Sequence, residues 1–398
     1  MVSNTGYWMG YTAQSWLVLS LTGNASDVGV TAALLFLPTL ALGMFGGVLA
    51  DRYPKWQVLL FGCIGWASLT GLLAALTLSQ AVQAWHVQLI AAGIGTVNAL
   101  CWPSQVAFIA EMVAPAQLRS AVSINSSGTQ LTASVGPAIG GLLISAAGPG
   151  ASFLIAAGCY AVPLVAVARV RVDELHAVPP AKAERGKMLA GLRYAVSRPD
   201  VLWPTILIAL YGMFTGNISV TLAVYATSVY DSGPGGYGLL GAIVAVGSLL
   251  GALISAHLRR TRLRTLVLFA ALLSALYMVS AAAPTQLVFC AVLLGIGAST
   301  LLLQTSANST IQLAAPGGIH GRIVGIYLLA WSGGIALGGP MVGYIDQYVG
   351  PQAGMLLAGA LPGIATLVIA ARIGSSLPRS ARSGRTPKGY PAACQQGP

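Results

Sequence analysis

The chain has 398 residues, 56% of them hydrophobic and 7% charged, with a mean hydropathy of +0.78 and a net charge of +11. Soluble domains carry about 25% charged residues, so a water-soluble protein is excluded. The positive charge sits in short breaks between apolar runs, without aromatic interleaving or a folded basic region, which excludes nucleic acid as its purpose.

An apolar run of roughly 20 residues spans a bilayer. In chain order the runs predict spans over 1–21, 28–50, 57–78, 86–109, 120–147, 151–168, 201–226, 236–257, 265–283, 286–310, 322–346 and 352–371. All 20 Lys and Arg fall in every second break or in the tail: Arg52 and Lys55, Arg119, the stretch 169–198, 259–264, Arg322 and 372–388. The intervening breaks, around Asp27, 80–85, Asp231, Pro284 and Asp346, hold none. Cytoplasmic loops collect Lys and Arg, so the expectation is an all-α, multi-pass protein of a bacterial inner membrane with both termini cytoplasmic.

The longest hydrophilic break divides six spans from six. It predicts an N-terminal half over 1–168, a central cytoplasmic loop over 169–200 and a C-terminal half over 201–371. A basic tail over 372–398, rich in Pro, Gly, Ser and Arg, is expected to be disordered. Within the loop, 187–198 reads as a basic amphipathic helix on the inner surface. The halves echo each other. Arg119 and Arg322 stand 203 positions apart, as do Pro137 of Gly136-Pro137-Ala-Ile-Gly140-Gly141 and Pro340 of Gly338-Gly339-Pro340-Met-Val-Gly343. A parallel six-plus-six repeat builds transporters whose halves rock around a midplane site, and one monomer holds both halves.

Three groups of residues carry the expected mechanism. Gly47, Asp51, Arg52 and Lys55, with Arg119 and Arg322, form a conformational gate at the basic end. Gly47 lets another helix approach span two, Asp51 faces a helix N-terminus or a guanidinium, and the cations reach carboxylates or lipid phosphates. The Gly/Pro motifs of spans five and eleven (Gly136, Pro137, Gly140, Gly141; Gly338, Gly339, Pro340, Gly343) permit bending and close packing. The substrate cavity is expected from Tyr7, Tyr11, Gln14, Asn98, Trp102, Gln105, Asn125, Asn217, Gln304, Asn308 and Trp331, with Trp8 and Tyr211 as further aromatic walls. Amides facing lipid would lack partners, and Asn98, Trp102 and Gln105 share one helical face. Each could equally serve as interhelical glue. Spans three, six, nine and twelve carry no mid-span amide and read as outer supports.

No Asp, Glu, Lys or Arg stands mid-span, Asp346 being placed at an outer end, so no proton carrier is evident. The five cysteines are scattered, and no aspartate-rich metal motif, Ser–His pair or HExxH occurs. Neither an enzyme nor a metal nor a cofactor is expected.

Gly47-Val-Leu-Ala-Asp51-Arg52-Tyr-Pro-Lys55 is similar to the signature loop of the major facilitator superfamily. Gly136-Pro137-x-x-Gly140-Gly141 resembles the end of its exporter-associated span-five motif. The opening VSNTGYWM…AQSWLVLSLTG, Pro103-Ser-Gln-Val-Ala with Glu111, and Gly191-Leu-Arg-Tyr-Ala resemble the branch of enterobactin exporters and macrolide-efflux proteins. The resemblance covers all but the tail. It implies a twelve-helix secondary transporter exporting amphipathic small molecules (drugs, macrolide-like compounds or siderophores) with protons as coupling ion. Many relatives carry an acid where this chain has Ser15, and the span-four arginine of proton antiporters is absent, with Gln88 nearby. The alternatives are an importer on the same fold and a non-transporting sensor or scaffold. Relatives begin about a dozen residues earlier with a basic head, so the first helix reads as shortened, by a late start codon or by truncation.

Overall fold

Inside a bilayer every backbone N–H and C=O needs a partner within the protein, and a helix supplies one from its own chain. The computed structural model describes residues 1–172, 175, 193–257, 263–314 and 320–375, and no strand occurs among them. The helices are α1 (Val2–Thr22), α2 (Ala25–Arg52), α3 (Lys55–Leu78), α4 (Ala84–Met112), α5 (Leu118–Ala168), α6 (Pro199–Thr215), α7 (Ile218–Val224), α8 (Gly233–His257), α9 (Leu263–Ala281), α10 (Gln286–Ala314), α11 (His320–Tyr348) and α12 (Pro351–Ser375).

Among the described residues, ten helical stretches are long and apolar enough to cross a membrane. One of them, Ser120–Ala168, has 49 residues, about 74 Å at 1.5 Å per residue and more than twice the hydrocarbon thickness. It bends at Gly148, whose φ of 79° is one that a side chain disfavours, so the two limbs of α5 are spans five and six. The stretch Val2–Thr22 is outside the ten; it carries Ser3, Asn4, Thr5, Thr12, Gln14 and Ser15, and its residues from Met9 to Leu19 are buried among neighbours rather than exposed to lipid. Large apolar side chains such as Phe61, Leu253 and Leu367 stay exposed on the outer faces, as a lipid-facing surface requires.

Span seven, expected as one helix over 201–226, is broken. α6 stops at Thr215, Gly216 and Asn217 interrupt it, and α7 runs into a π-helical turn over Tyr225–Val229. Asn217 Nδ2 donates to the carbonyls of Met213 (3.3 Å) and Ile335 (3.2 Å). A short amide side chain beside a glycine thus diverts bonding away from a regular ladder. Of the predicted loop helix, residues 193–197 are helical, and Tyr194 Oη donates to the Ala314 carbonyl at 3.1 Å. Arg198 is extended and caps α6, while residues 187–192 and the tail beyond 375 lie outside the described residues.

The packing repeats. α1 packs on α5, α2 on α4, and α3 on α5; correspondingly α6 packs on α11, α8 on α10, and α9 on α12. Between the halves, α2 meets α11 and α5 meets α8. These meetings are tightest at the end free of Lys and Arg. A Cβ on Gly141 would lie 2.6 Å from Gly238 Cα, and one on Gly339 would lie 2.5 Å from the Gly29 carbonyl oxygen. There too the Ala25 N–H at the start of α2 donates to Gln347 Oε1 at 2.7 Å, and Trp16 stacks on Tyr237 at 5.2 Å. Toward the basic end the glycine contacts between the halves loosen: a Cβ on Gly43 would lie 4.0 Å from Leu329 Cδ2.

Candidate functional site

Between the halves, which meet most closely at the Lys/Arg-free end, lies a cavity of about 330 Å3. α1 contributes Tyr7, Trp8 and Tyr11; α2, Phe36 and Thr39; α4, Asn98, Trp102 and Gln105; α5, Gln130 and Pro137. Facing them are Ser219 and Leu222 of α7, Ser248 of α8, Gln304 of α10, and Tyr327 and Trp331 of α11. No charged side chain lines it among the described residues. The wall is aromatic and amide-rich, suited to neutral or amphipathic solutes. Tyr7, Trp8, Tyr11 and Phe36 run edge to face, with ring centroids 5.6–5.9 Å apart. Gln130 Nε2 donates to Gln304 Oε1 at 3.2 Å, bridging the halves across the cavity.

Of the residues expected here, Tyr7, Tyr11, Asn98, Trp102, Gln105, Gln304 and Trp331 line the cavity together. The i, i+4, i+7 face of α4 does present its three residues to it. Four others do not. Asn217 is fully buried and ties span seven to α11, the glue alternative. Gln14 is buried beyond Tyr11, toward the Lys/Arg-free end. Asn308 lies one turn nearer the basic end than Gln304, and its Oδ1 accepts from Gln312 Nε2 at 2.9 Å. Asn125 is exposed and borders a minor cleft with Met1 and Gln105. Tyr211 also leaves the wall: its hydroxyl lies 2.5 Å from the Ala270 carbonyl oxygen and 2.8 Å from Ser274 Oγ, inside the second half. Hydrophobicity and amide content report depth in the membrane but not rotation about the helix axis.

Two expectations need correction. Spans three and six are not mere supports. Trp66 of α3 and Tyr160 of α5 line the cavity, stacked at 5.8 Å. They carry no amide, and that was the signal relied on. Asp346, at an outer end as expected, was counted among acids that offered no evident proton carrier. It is buried, 3% exposed, with Oδ2 accepting from Thr221 Oγ1 at 2.7 Å and Oδ1 without a partner. Gly354 of α12 leaves the room its carboxyl occupies.

The gate residues stand apart in this conformation. A Cβ on Gly47 would meet nothing within 4 Å, and Asp51 and Arg52 are exposed without an ion pair among the described residues. Asp51 is thus not held in a crevice here. Lys55 instead pairs with Glu111 of its own half, Nζ to Oε1 at 2.5 Å. The side chains of Arg119 and Arg322 lie outside what is described. In the span-five motif, Gly136 and Gly140 seat against α1 and Gly141 crosses to α8; Pro137 borders the cavity. In span eleven, Gly338 seats against α6, whereas Gly339 and Gly343 cross to α2, flanking Pro340.

A family described as transmembrane secretion effector matches residues 1–388. The staphyloferrin A transporter of Staphylococcus aureus is 29% identical over 156 residues, 39% of each chain. The multidrug efflux pump Tap of Mycobacterium tuberculosis is 26% identical over 94% of this chain and 91% of its own. The enterobactin exporter EntS of Escherichia coli is 27% identical over 88% and 82%. Among solved structures, a point mutant of the nucleoside transporter NupG superposes with a TM-score of 0.71 at 13% identity, covering 93% of this chain and 97% of its own; that likeness shows the fold.

Proposed function

Because this chain belongs to the transmembrane secretion effector family of the major facilitator superfamily, we propose that it is a secondary active exporter of amphipathic small molecules. The observation that carries this reading is the uncharged aromatic cavity between two halves that close on one side only. Lys and Arg gather at the open end, so that end faces the cytoplasm of a bacterial inner membrane, and both termini lie inside. The conformation is then inward-facing, and a solute enters from the cytoplasm. Rocking about α2–α11 and α5–α8 would close the basic end and open the other. The names of two full-length relatives, a multidrug efflux pump and an enterobactin exporter, support the outward direction. One chain suffices, because it carries both halves.

Proton coupling fits this reading, with Asp346 as the carboxyl that exchanges the proton. It is shut away while the Lys/Arg-free end is closed, and it sits beside Gln347, whose bond to α2 has to break when that end opens. Thr221, its partner, adjoins Leu222 in the cavity wall, which supplies the route between carboxyl and substrate.

The test is retention of amphipathic dyes, macrolides and siderophores in efflux-deficient bacteria, with and without a protonophore. Lower retention that the protonophore abolishes is expected. Higher accumulation than in cells lacking the protein would instead mark an importer.

A further inference from the structure

One corner of the cavity differs from the rest. On the first-half wall, which α1, α2 and α3 all supply, Tyr7 Oη, Tyr11 Oη, Thr39 Oγ1 and Trp66 Nε1 are all shut from solvent and none has a hydrogen-bond partner. Tyr11 and Trp66 are 5% and 7% exposed, and all four residues line the same cavity. An unpaired buried polar atom is costly, and native proteins leave few of them. Four in one corner of a transport cavity therefore point to a partner that arrives with the ligand. Each can turn toward a ligand without breaking an existing bond, so reorganisation is cheap.

The chemistry of the four atoms narrows that partner. The indole N–H only donates, and the three hydroxyls both donate and accept. Phe36, edge-on to Tyr11, and Tyr160, stacked on Trp66, add aromatic surface beside them. No carboxylate lines the cavity to neutralise a cation, and no Lys or Arg to hold an acid, among the described residues. We infer that this corner is a recognition subsite for an uncharged aryl group bearing an acceptor oxygen, such as an aryl ketone, ester or amide. Its ring lies among the aromatic side chains while its oxygen, with two lone pairs, receives two of the bonds that Tyr7, Tyr11, Thr39 and Trp66 can donate. The inference rests on reading the cavity as the transport site, and it deepens that reading by naming the part of the substrate that is recognised.

Three probes on one tricyclic frame test it. Xanthone is uncharged with a carbonyl, xanthene has the same frame without it, and N-methylacridinium has the same size with a positive charge. Each is titrated against the purified full chain in detergent, with affinity read from the concentration dependence of the unfolding temperature. Xanthone is expected to bind about tenfold more tightly than xanthene, the worth of a good hydrogen bond, and acridinium no more tightly than xanthene. Tyr7→Phe with Tyr11→Phe, and separately Thr39→Val, keep the shape and remove the hydroxyls. They should lower the xanthone preference at least threefold, about half of that gain in free-energy terms, while leaving the unliganded unfolding temperature unchanged or higher. An unaltered preference in both variants overturns the subsite, as does a wild type that favours acridinium or fails to bind xanthone. Those failures alongside intact protonophore-sensitive dye efflux would count against the subsite alone; loss of efflux in the wild type counts against the exporter reading.

Discussion

A buried carboxylate with one hydrogen bond is an expensive thing to keep in a membrane protein, which is why Asp346 carries the coupling argument. Asp346→Asn preserves the shape and the bond from Thr221 and removes the exchangeable proton. It should abolish gradient-driven efflux yet leave exchange of internal for external substrate within about twofold of wild type, since exchange needs no net proton movement. Loss of both activities together would assign Asp346 a purely structural role. The Lys55–Glu111 pair is a smaller matter. At side-chain exposures of 20% and 15% it is half-screened, and a double-mutant cycle with Lys55→Gln and Glu111→Gln should give a coupling of about 1 kcal/mol. At this scale the sequence was partly legible. Tyr7, Trp102 and Gln304 could be placed in the cavity because polar and aromatic groups at mid-depth need a wet or packed surface. Asn217 and Asp346 could not, because whether such a group ties helices together or lines a cavity depends on helix rotation, which composition does not encode.

At the level of helices, the glycines of spans five and eleven matter for what touches them. Gly141 meets Gly238 backbone to backbone across the halves, with a Cβ on Gly238 only 2.5 Å from the Gly141 carbonyl oxygen. Gly141→Leu should therefore hold the Lys/Arg-free end open. Overpacking of about 1–3 kcal/mol shifts a two-state balance about 5- to 150-fold, so transport in cells should fall by about that factor while the protein remains in the membrane. Transport within twofold of wild type would show that this contact is not part of the closed state. The helix boundaries were readable because hydropathy and Gly-Pro breaks mark them, down to the turn at Gly148 between spans five and six. The interruption at Gly216–Asn217 was not, since neither residue lowers the hydropathy of span seven enough to split it. The repeat was legible through its prolines, which stand 203 apart. Its glycine faces, however, correspond as Gly136 with Gly338 and Gly141 with Gly343, one position off the proline register.

For the whole molecule, alternation of basic and Lys/Arg-free breaks along the chain predicts a chain that crosses the membrane many times, and the helices cross accordingly. What the sequence alone does not convey is the conformational state, since the same residues serve both the open and the closed end. The gate contacts expected of Gly47, Asp51 and Arg52 when that side is shut are accordingly not made here. The central claim is that a solute enters the cavity from the basic side and leaves from the opposite side as protons move inward. Inside-out membrane vesicles put that basic side in the surrounding medium. They would be given an acidic interior and the panel compound with the largest retention difference. Uptake that depends on the acid interior, and that Gly141→Leu removes, is the result expected. Uptake confined to right-side-out vesicles under an acidic exterior would contradict it and make the protein an importer.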